Sequence, residues 1–461
     1  MVQIRDYPFL DNRIPLADGD NYFENCFTVL LGKNGVGKSR LLSELVSEFA
    51  RSYRNDYSSS AAGPFAANPL PSKIIAVSTS PFDKFPPVRR SANAPEYSYI
   101  GMRSSGGAAT NQMALILSAA KGLMSKYLET EQHENLAEIF ELLSLDPSLS
   151  FIFKINIKPK IEIKKQNGGS VRFSFDGLVP DFFDDDSDVF KEILEYPILQ
   201  NYLNENQETR LKIRQALSSI WDELENKKGM FFTLHFDYSS KYKTGFISPK
   251  VVSALLTLLE HNLVRLYDLK ITKKTWRNDP LEMSLRRASS GEQCLLVMIL
   301  GIAGQIRDNS LILIDEPEIS LHPSWQSRFI YLIINTFTKY QKCHFIIATH
   351  SPQIVSRLSH NNCFITTMDD NKLHRAQDFH NRSADYQLTE LFDAPGMMNE
   401  YVSRLAFTLL SKVKSNKDTD IGDRRTITRL EKIRLKLEFG DPNIELIDSV
   451  LEVCEYYASN N

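Results

Sequence analysis

Apolar residues recur along this chain with two different periods. Unbroken apolar runs in "ENCFTVLLG", "KIIAVST", "SLILIDE" and "CHFIIATHSP" are short and rich in strand formers, so each predicts a buried strand. Leucines at helical spacing in "KSRLLSELVSEFA" predict a helix directly after the first run. "RNDYSSSAAGPFAANPLPS" has few large apolar residues and reads as a surface loop, and the prolines of "SPFDKFPPVRR" exclude regular structure. From about Asn111 to Lys274 the pattern changes. "NQMALILSAAKGLMSKYL", "HENLAEIFELLSL", "ETRLKIRQALSSIWDELENK" and "PKVVSALLTLLEHNLVRL" read as helices. "SFIFKINIKPKIEIKKQNGGSVRFSF" alternates around an "NGG" turn and reads as a β-ribbon. The acidic run "DFFDDDSD" reads as a solvated loop leading into a helix N-terminus. "NCFITTMDDNKLHRA" predicts a short ribbon, and charge-rich helical sequence closes the chain.

These changes of pattern divide the chain into four parts. Residues 1–110 and 275–383 form two halves of one α/β head, and 111–274 an α/β insertion lobe. Residues 384–461 form a helical tail, too short for a nuclease domain with its own core but suited to docking a partner. No heptad pattern persists, which excludes a long coiled coil.

Composition narrows the class only modestly. Hydrophobic residues at 42% and charged residues at 24% exclude a disordered or fibrous chain. A net charge of -3 excludes a global basic field, although a local basic face stays open. Cys26, Cys294, Cys343, Cys363 and Cys454 form no CxxC pair, so neither a zinc site nor a disulfide framework is expected. The N-terminus lacks an apolar signal core and no run is long enough to span a bilayer, so a reduced, cytoplasmic setting without membrane contact is expected.

The chemistry lies in "LGKNGVGKSR". Gly32-x4-Gly37-Lys38-Ser39 matches the P-loop pattern and stands between a predicted strand and a predicted helix, the context it requires. Gly32, Gly35 and Gly37 let backbone amides approach phosphate, and the helix N-terminus adds partial positive charge. Lys38 would reach the β- and γ-phosphates and Ser39 would hold Mg²⁺; Asn34 and Arg40 are counted among the nucleotide-binding residues. In "LILIDEPE", Asp315 ends a buried strand where it can hold Mg²⁺ through water, and Glu316 follows where a water would be polarised. Alone, such an Asp-Glu pair reads as solvated acids at a strand end; the P-loop upstream reverses that reading.

The ordered series of P-loop, "SSGEQ", "IDEPE", "LHP" and "ATHSP" resembles the ABC-type ATPase head shared by SMC and related DNA-repair proteins. The resemblance implies a P-loop head with a mixed sheet flanked by helices, binding ATP and Mg²⁺ between two heads that meet head to tail. It places Ser290, Gly291, Glu292 and Gln293 as the signature that meets the partner's nucleotide, with Glu292 where a second glycine often stands. It places His350 as the switch histidine and, more loosely, Gln112 as the magnesium-binding Q-loop residue. Tyr22 and Phe23 are the aromatics near enough to consider for adenine stacking.

Transporter ATPases are usually shorter, and SMC proteins carry coiled coils. The overcoming-lysogenization-defect (OLD) nucleases add a Toprim domain, whereas here "DTD" at Asp418 to Asp420 reads as a solvated loop. "HNR" at His380 to Arg382 lacks the paired histidines of an HNH site. In overall size, "IIAVSTSPFDKFP", "YSYIGMRS", the moderate insertion and the tail with "ADYQLTELFD", the chain is similar to the PtuA family of Septu and retron-associated anti-phage ATPases. That resemblance implies an ATPase that oligomerises and controls a PtuB-like HNH nuclease. DNA would be engaged through the complex, in a retron together with msDNA and reverse transcriptase. The alternative is an SMC- or OLD-like DNA-binding or repair ATPase that acts by pairing its heads on DNA; a transport ATPase is a distant third.

Overall fold

A computed structural model describes residues 3–18, 23–53, 70–87, 96–103, 112–128, 133–158, 160–164, 170–174, 180–183, 186, 188–224, 230–238, 247–273, 281–358, 361–416 and 419–459. The chain opens on a hairpin, β1 (Asp6–Phe9) and β2 (Asn12–Pro15), then enters β3 (Cys26–Leu31), the P-loop and α1 (Lys38–Tyr53). β4 (Lys73–Ser78) and β5 (Tyr97–Gly101) follow. The middle of the chain holds α2 (Gln112–Leu128), α3 (His133–Leu142), β6 (Leu145–Ile155), β7 (Lys160–Lys164), β8 (Ser170–Ser174), α4 (Asp188–Ile193), α5 (Tyr196–Leu203), α6 (Gln207–Leu224), β9 (Phe231–Asp237), α7 (Pro249–Glu260), β10 (Val264–Lys273) and β11 (Leu281–Ser284). After it come α8 (Ser290–Ala303), β12 (Ser310–Asp315), α9 (Pro323–Thr336), β13 (His344–Ala348), α10 (Pro352–Val355), β14 (Cys363–Thr367) and β15 (Lys372–Arg375). The tail is α11 (Ala384–Glu390), α12 (Glu400–Asn416), α13 (Ile421–Arg434) and α14 (Pro442–Ser459).

The apolar runs build one seven-stranded sheet in the order β15-β14-β3-β13-β12-β4-β5, parallel except for the edge strand β15. These strands are apolar on successive positions because both faces are covered. Leu311 and Leu313 join Leu41, Leu42 and Leu45 of α1 on one face, while Ile312 and Ile314 join residues of α2, α8 and α9 on the other. The second core continues without a break into the middle of the chain, where Phe151 and Phe153 of β6 are fully buried. The α/β class expected from the sequence, a mixed sheet flanked by helices, is the class observed, and the sheet is parallel but for its β15 edge.

Four local expectations change. The ribbon is confined to β7 and β8, paired from Lys160↔Ser174 to Lys164↔Ser170. β6 belongs instead to a four-stranded antiparallel sheet, β11-β10-β6-β9, because its inward row of Leu149, Phe151, Phe153 and Ile155 fits the shared core. The helix expected through "HNLVRL" stops at Glu260, since Asn262 takes φ +60° and turns the chain into β10. The acidic run is not wholly solvated: Asp186 accepts the Tyr202 hydroxyl at 2.9 Å and faces Arg210 and Arg214. In the tail, the apolar faces of α12, α13 and α14 turn toward one another, with Val402, Leu409, Leu430, Ile447 and Val450 forming a small core separate from the head's. Short as it is, the tail therefore has a core of its own. Residues 54–69, most of the expected Ser/Ala/Pro loop, and the "NGG" turn lie outside the described residues.

Candidate nucleotide site

Parallel pairing aligns the carboxyl ends of β3, β4, β12, β13 and β14 along one sheet edge, the edge where open α/β sheets take their ligands. The P-loop leaves β3, Asp315 and Glu316 leave β12, and His350 leaves β13. Asp369 follows β14, and Asp83 follows β4.

The loop backbone is left-handed at Gly35 (φ +84°) and Gly37 (φ +107°). A Cβ on Gly37 would stand 2.9 Å from Phe9 Cζ, so the β1–β2 hairpin supports the loop from below and only glycine fits there. Asn34 and Gly35 are exposed at its tip. Lys38 is buried, its Nζ donating to Gly32 O at 2.9 Å and lying 3.5 Å from His350 Nδ1. Burial pushes its ammonium pKa down, against the pull of Glu316, Glu318, Asp315 and Asp369. Ser39 Oγ donates to Asp315 Oδ1 at 3.0 Å. Arg40 is held along α1 by Glu44 at 2.8 Å, its guanidinium 5.8 Å from the Phe9 ring centre.

These groups fit a nucleotide with a divalent cation. Asp315 is 3% exposed, and burial pushes its carboxyl up to about 7 despite the Ser39 hydrogen bond. A sealed carboxyl of that kind beside a hydroxyl, in no ion pair among the described residues, suits the ion that a bound Mg-nucleotide would supply. Ser39 and Asp315 are the residues to hold it.

Glu316 has φ 45° and ψ 58°, a left-handed conformation that a non-glycine residue adopts at a cost of order 1–3 kcal/mol. Its N–H is fixed by Ala348 O at 2.9 Å, and its Oε1 lies 3.2 Å from His350 Nε2. That hydrogen bond holds the Glu316 carboxyl below the usual range. His350 thus spans Lys38 and Glu316.

The signature segment opens α8. Ser289 caps it, its side chain accepting from Glu292 N. Ser289 and Ser290 are exposed, and a Cβ on Gly291 would lie 3.4 Å from both Ser320 O and His322 N. Glu292 is paired with Lys273 at 3.0 Å. One expected nucleotide contact is corrected here, and one aromatic considered for adenine is placed elsewhere. Gln293 is 2% exposed, turned into the core side of α8 rather than toward a nucleotide. Phe23 precedes β3 and stands 5.7 Å from Lys342 Nζ, at the amino end of the strands, a strand's length from the P-loop. Tyr22 lies outside the described residues, as does Asp418. Gln112 begins α2, and its side chain is likewise outside them. Asp420 caps α13 in a reciprocal capping box with Asp423 and pairs with Lys412 at 2.7 Å.

Several site residues escaped the sequence reading. Glu318, the second glutamate of "DEPE", accepts His350 N through Oε1, while its Oε2 is sealed from solvent and meets no hydrogen-bond geometry among the described residues. Gln326 of α9 accepts the Ser351 hydroxyl at 2.7 Å and donates to Leu321 O at 2.9 Å. Asp369 Oδ2 accepts Lys33 N at 3.1 Å. Asp83 is gripped by Arg103 and by the Tyr99 hydroxyl, the latter at 2.6 Å. The "DEPE" spacing carried a signal for Glu318; the others are joined by tertiary contact alone.

No cluster of three or more His, Cys, Asp or Glu with metal-holding geometry occurs among the described residues, and none of their helices is long and apolar enough to cross a membrane. All five cysteines are buried.

Residues 128–356 match the family described as "AAA domain, putative AbiEii toxin, Type IV TA system". The match covers just under half of the chain and spans the signature, Asp315 and His350. The chain is 29% identical over 192 residues to the Retron Ec83 probable ATPase of Escherichia coli, covering 37% of this chain and 32% of that one. It is 30% identical over 89 residues to the Retron Vc95 probable ATPase of Vibrio cholerae serotype O1 biovar El Tor, 17% of each chain. The matched part thus spans about a third or less of these relatives' length. Among solved structures, UvrA2 from Deinococcus radiodurans aligns over 85% of this chain and 37% of its own at 14% identity, with a TM-score of 0.25, too low to bear on the fold. Sheet topology, motif order and the family match agree: this chain has the fold of a P-loop ATPase of the AAA/ABC-like type.

Proposed function

We propose that this chain binds ATP with Mg²⁺ and hydrolyses it slowly between two copies paired head to tail, and that the cycle governs a partner HNH nuclease in anti-phage defence. One observation carries the catalytic part: Lys38, Ser39, Asp315, Glu316 and His350 converge on one sheet edge, Ser39 hydrogen-bonded to Asp315 and His350 lying between Lys38 and Glu316. Lys38 binds phosphate, and Ser39 with Asp315 holds the cation that neutralises phosphate charge when the nucleotide is present. Glu316, oriented by His350, accepts a proton from the attacking water. The pairing part rests on the exposed Ser289 and Ser290 at the start of α8, an anion site for a second copy's γ-phosphate. Among the described residues, the groups nearest Gly291 are Ser320 and His322 and the partner of Glu292 is Lys273, none of them in the P-loop. The defence setting rests on the partial likeness to the two retron probable ATPases, and the nuclease on the resemblance to the PtuA family.

Glu316→Gln tests the core of this reading. The amide still fits the strained site but cannot take a proton, so ATP affinity should stay within a few-fold while turnover falls by at least ~10²-fold. Turnover equal to wild type would remove Glu316 from the reaction. Co-purification with an HNH protein encoded beside the chain tests the partner.

A further inference from the structure

The outer face of the four-stranded sheet carries a chemistry that the nucleotide site does not use. Its inner positions are apolar and buried, whereas the strand register sets its outer positions in rows. Phe231, Lys154 and Arg265 stand side by side across β9, β6 and β10 in one row, and His235, Ser150 and Lys270 in another. Phe231 and Tyr267 are each 47% exposed, and their rings meet edge to face at 5.0 Å. Lys154 Nζ lies 5.9 Å from the Phe231 ring centre, and the Arg286 guanidinium 5.0 Å from that of Tyr267. Lys270 is paired with Glu282 at 2.9 Å, but Lys154, Arg265 and Arg286 face no carboxylate in an ion pair among the described residues.

Thr233, Ile152 and the buried Asp268 fill the row between; even so, a face awaiting an apolar partner would not hold three cations outside any described ion pair among its rings. Flat aromatic surface interleaved with positive charge matches a ligand that alternates flat rings with anions. Single-stranded nucleic acid is that ligand, because its bases are free to stack and its phosphates track the cations. Duplex DNA keeps its bases stacked inside, and an acidic peptide would use the cations but leave the rings idle. We infer that this face, centred on Phe231, Lys154, Arg265, Tyr267 and Arg286, binds single-stranded nucleic acid directly. The inference stands apart from ATP turnover, although Arg286 lies just ahead of the Ser289 cap and Lys273 of the same sheet holds Glu292.

Fluorescence anisotropy of the full chain with a labelled oligo-thymidylate tests it, beside a duplex of equal length and a labelled poly-glutamate peptide. Phe231→Ala and Tyr267→Ala should each weaken oligonucleotide binding by roughly 5- to 100-fold, the range expected when one base no longer stacks on a ring. Lys154→Glu combined with Arg265→Glu should weaken it further and flatten its dependence on salt, by a log–log slope of about 0.7 for each phosphate no longer neutralised. Nucleotide affinity, measured on every variant, reports that the head is intact. No binding by the wild-type chain, or alanine variants that bind as wild type does, overturns the inference. So does a duplex that binds as tightly as the single strand. Tight binding of poly-glutamate that disappears only in the charge variant would assign the face to a protein instead.

Discussion

Glu316 and Glu318 stand two positions apart and do opposite things. Glu316 is strained, half open and ionised, aimed at the reaction edge through His350. Glu318 is enclosed, its carboxyl pushed above the usual range by burial, and it grips the backbone of His350 from behind. With Gln326 holding Ser351, it brackets the segment that presents the histidine. Glu318→Ala should therefore lower kcat by about 10²-fold through misplacement of His350 while KM changes by less than ~3-fold. Glu318→Gln should recover most of the loss, since its amide oxygen still accepts His350 N. Steady-state ATPase kinetics on both variants checks this; equal loss in the two would mean that the negative charge, not the hydrogen bond, matters. Gly37 and Gly291 act by lacking a Cβ, leaving room for Phe9 and for the turn at His322.

At the scale of elements, β13 is tied to its neighbours by a buried histidine. His344 Nδ1 accepts Ile4 N at 3.2 Å, and its Nε2 lies 2.9 Å from the Thr28 hydroxyl on β3. Burial pushes its pKa from 6.5 down to about 3, so the ring is neutral in the folded chain. The unfolded chain takes up that proton below about 6.5, so the contribution of His344 to stability is whole above that pH and is lost progressively toward pH 3. Between pH 7 and pH 5 it should account for a fall of about 2 kcal/mol. Denaturant midpoints at the two pH values, compared with those of His344→Gln, measure it; an equal pH dependence in the variant would exclude His344 as the source. His350, proposed as the switch histidine, lies just beyond the end of the same strand, so one element has a packing histidine at its start and a site histidine past its end.

For the whole molecule, the start of α8 and the tail bundle each carry a proposed role of their own. If two copies pair across ATP, a bulky cation at the signature should block pairing without touching the P-loop. Ser290→Arg is expected to leave nucleotide affinity within about 3-fold and to abolish ATP-dependent association, an arginine here filling an anion site from within. Sedimentation with ATP and with ADP reads this out, and a variant that still associates on ATP would sink the head-to-tail arrangement. Because α12, α13 and α14 bury their apolar faces against each other, the docking surface proposed for the tail has to come from its outer residues, such as Phe407 on α12, 57% exposed.

Local sequence determined the pieces that depend on near neighbours. The P-loop, the strand before it and the helix after it are written within a few residues, because glycine freedom, apolar runs and helical spacing are short-range properties. The same holds for Asp315, Glu316 and the Ser289 cap. Tertiary structure decided whatever depended on who lies across a strand or behind a turn. β6 left its expected hairpin because its inward row fitted a distant core, Gln293 turned inward because α8 is buried on nearly every side, and Phe23 fell at the wrong end of its strand. Asp369 and Asp83 became site residues because parallel pairing brings to one edge carboxyl ends that are hundreds of positions apart in the chain, and Gln326 because α9 packs beside the segment after β13, a convergence set by strand order and packing and invisible to any local pattern.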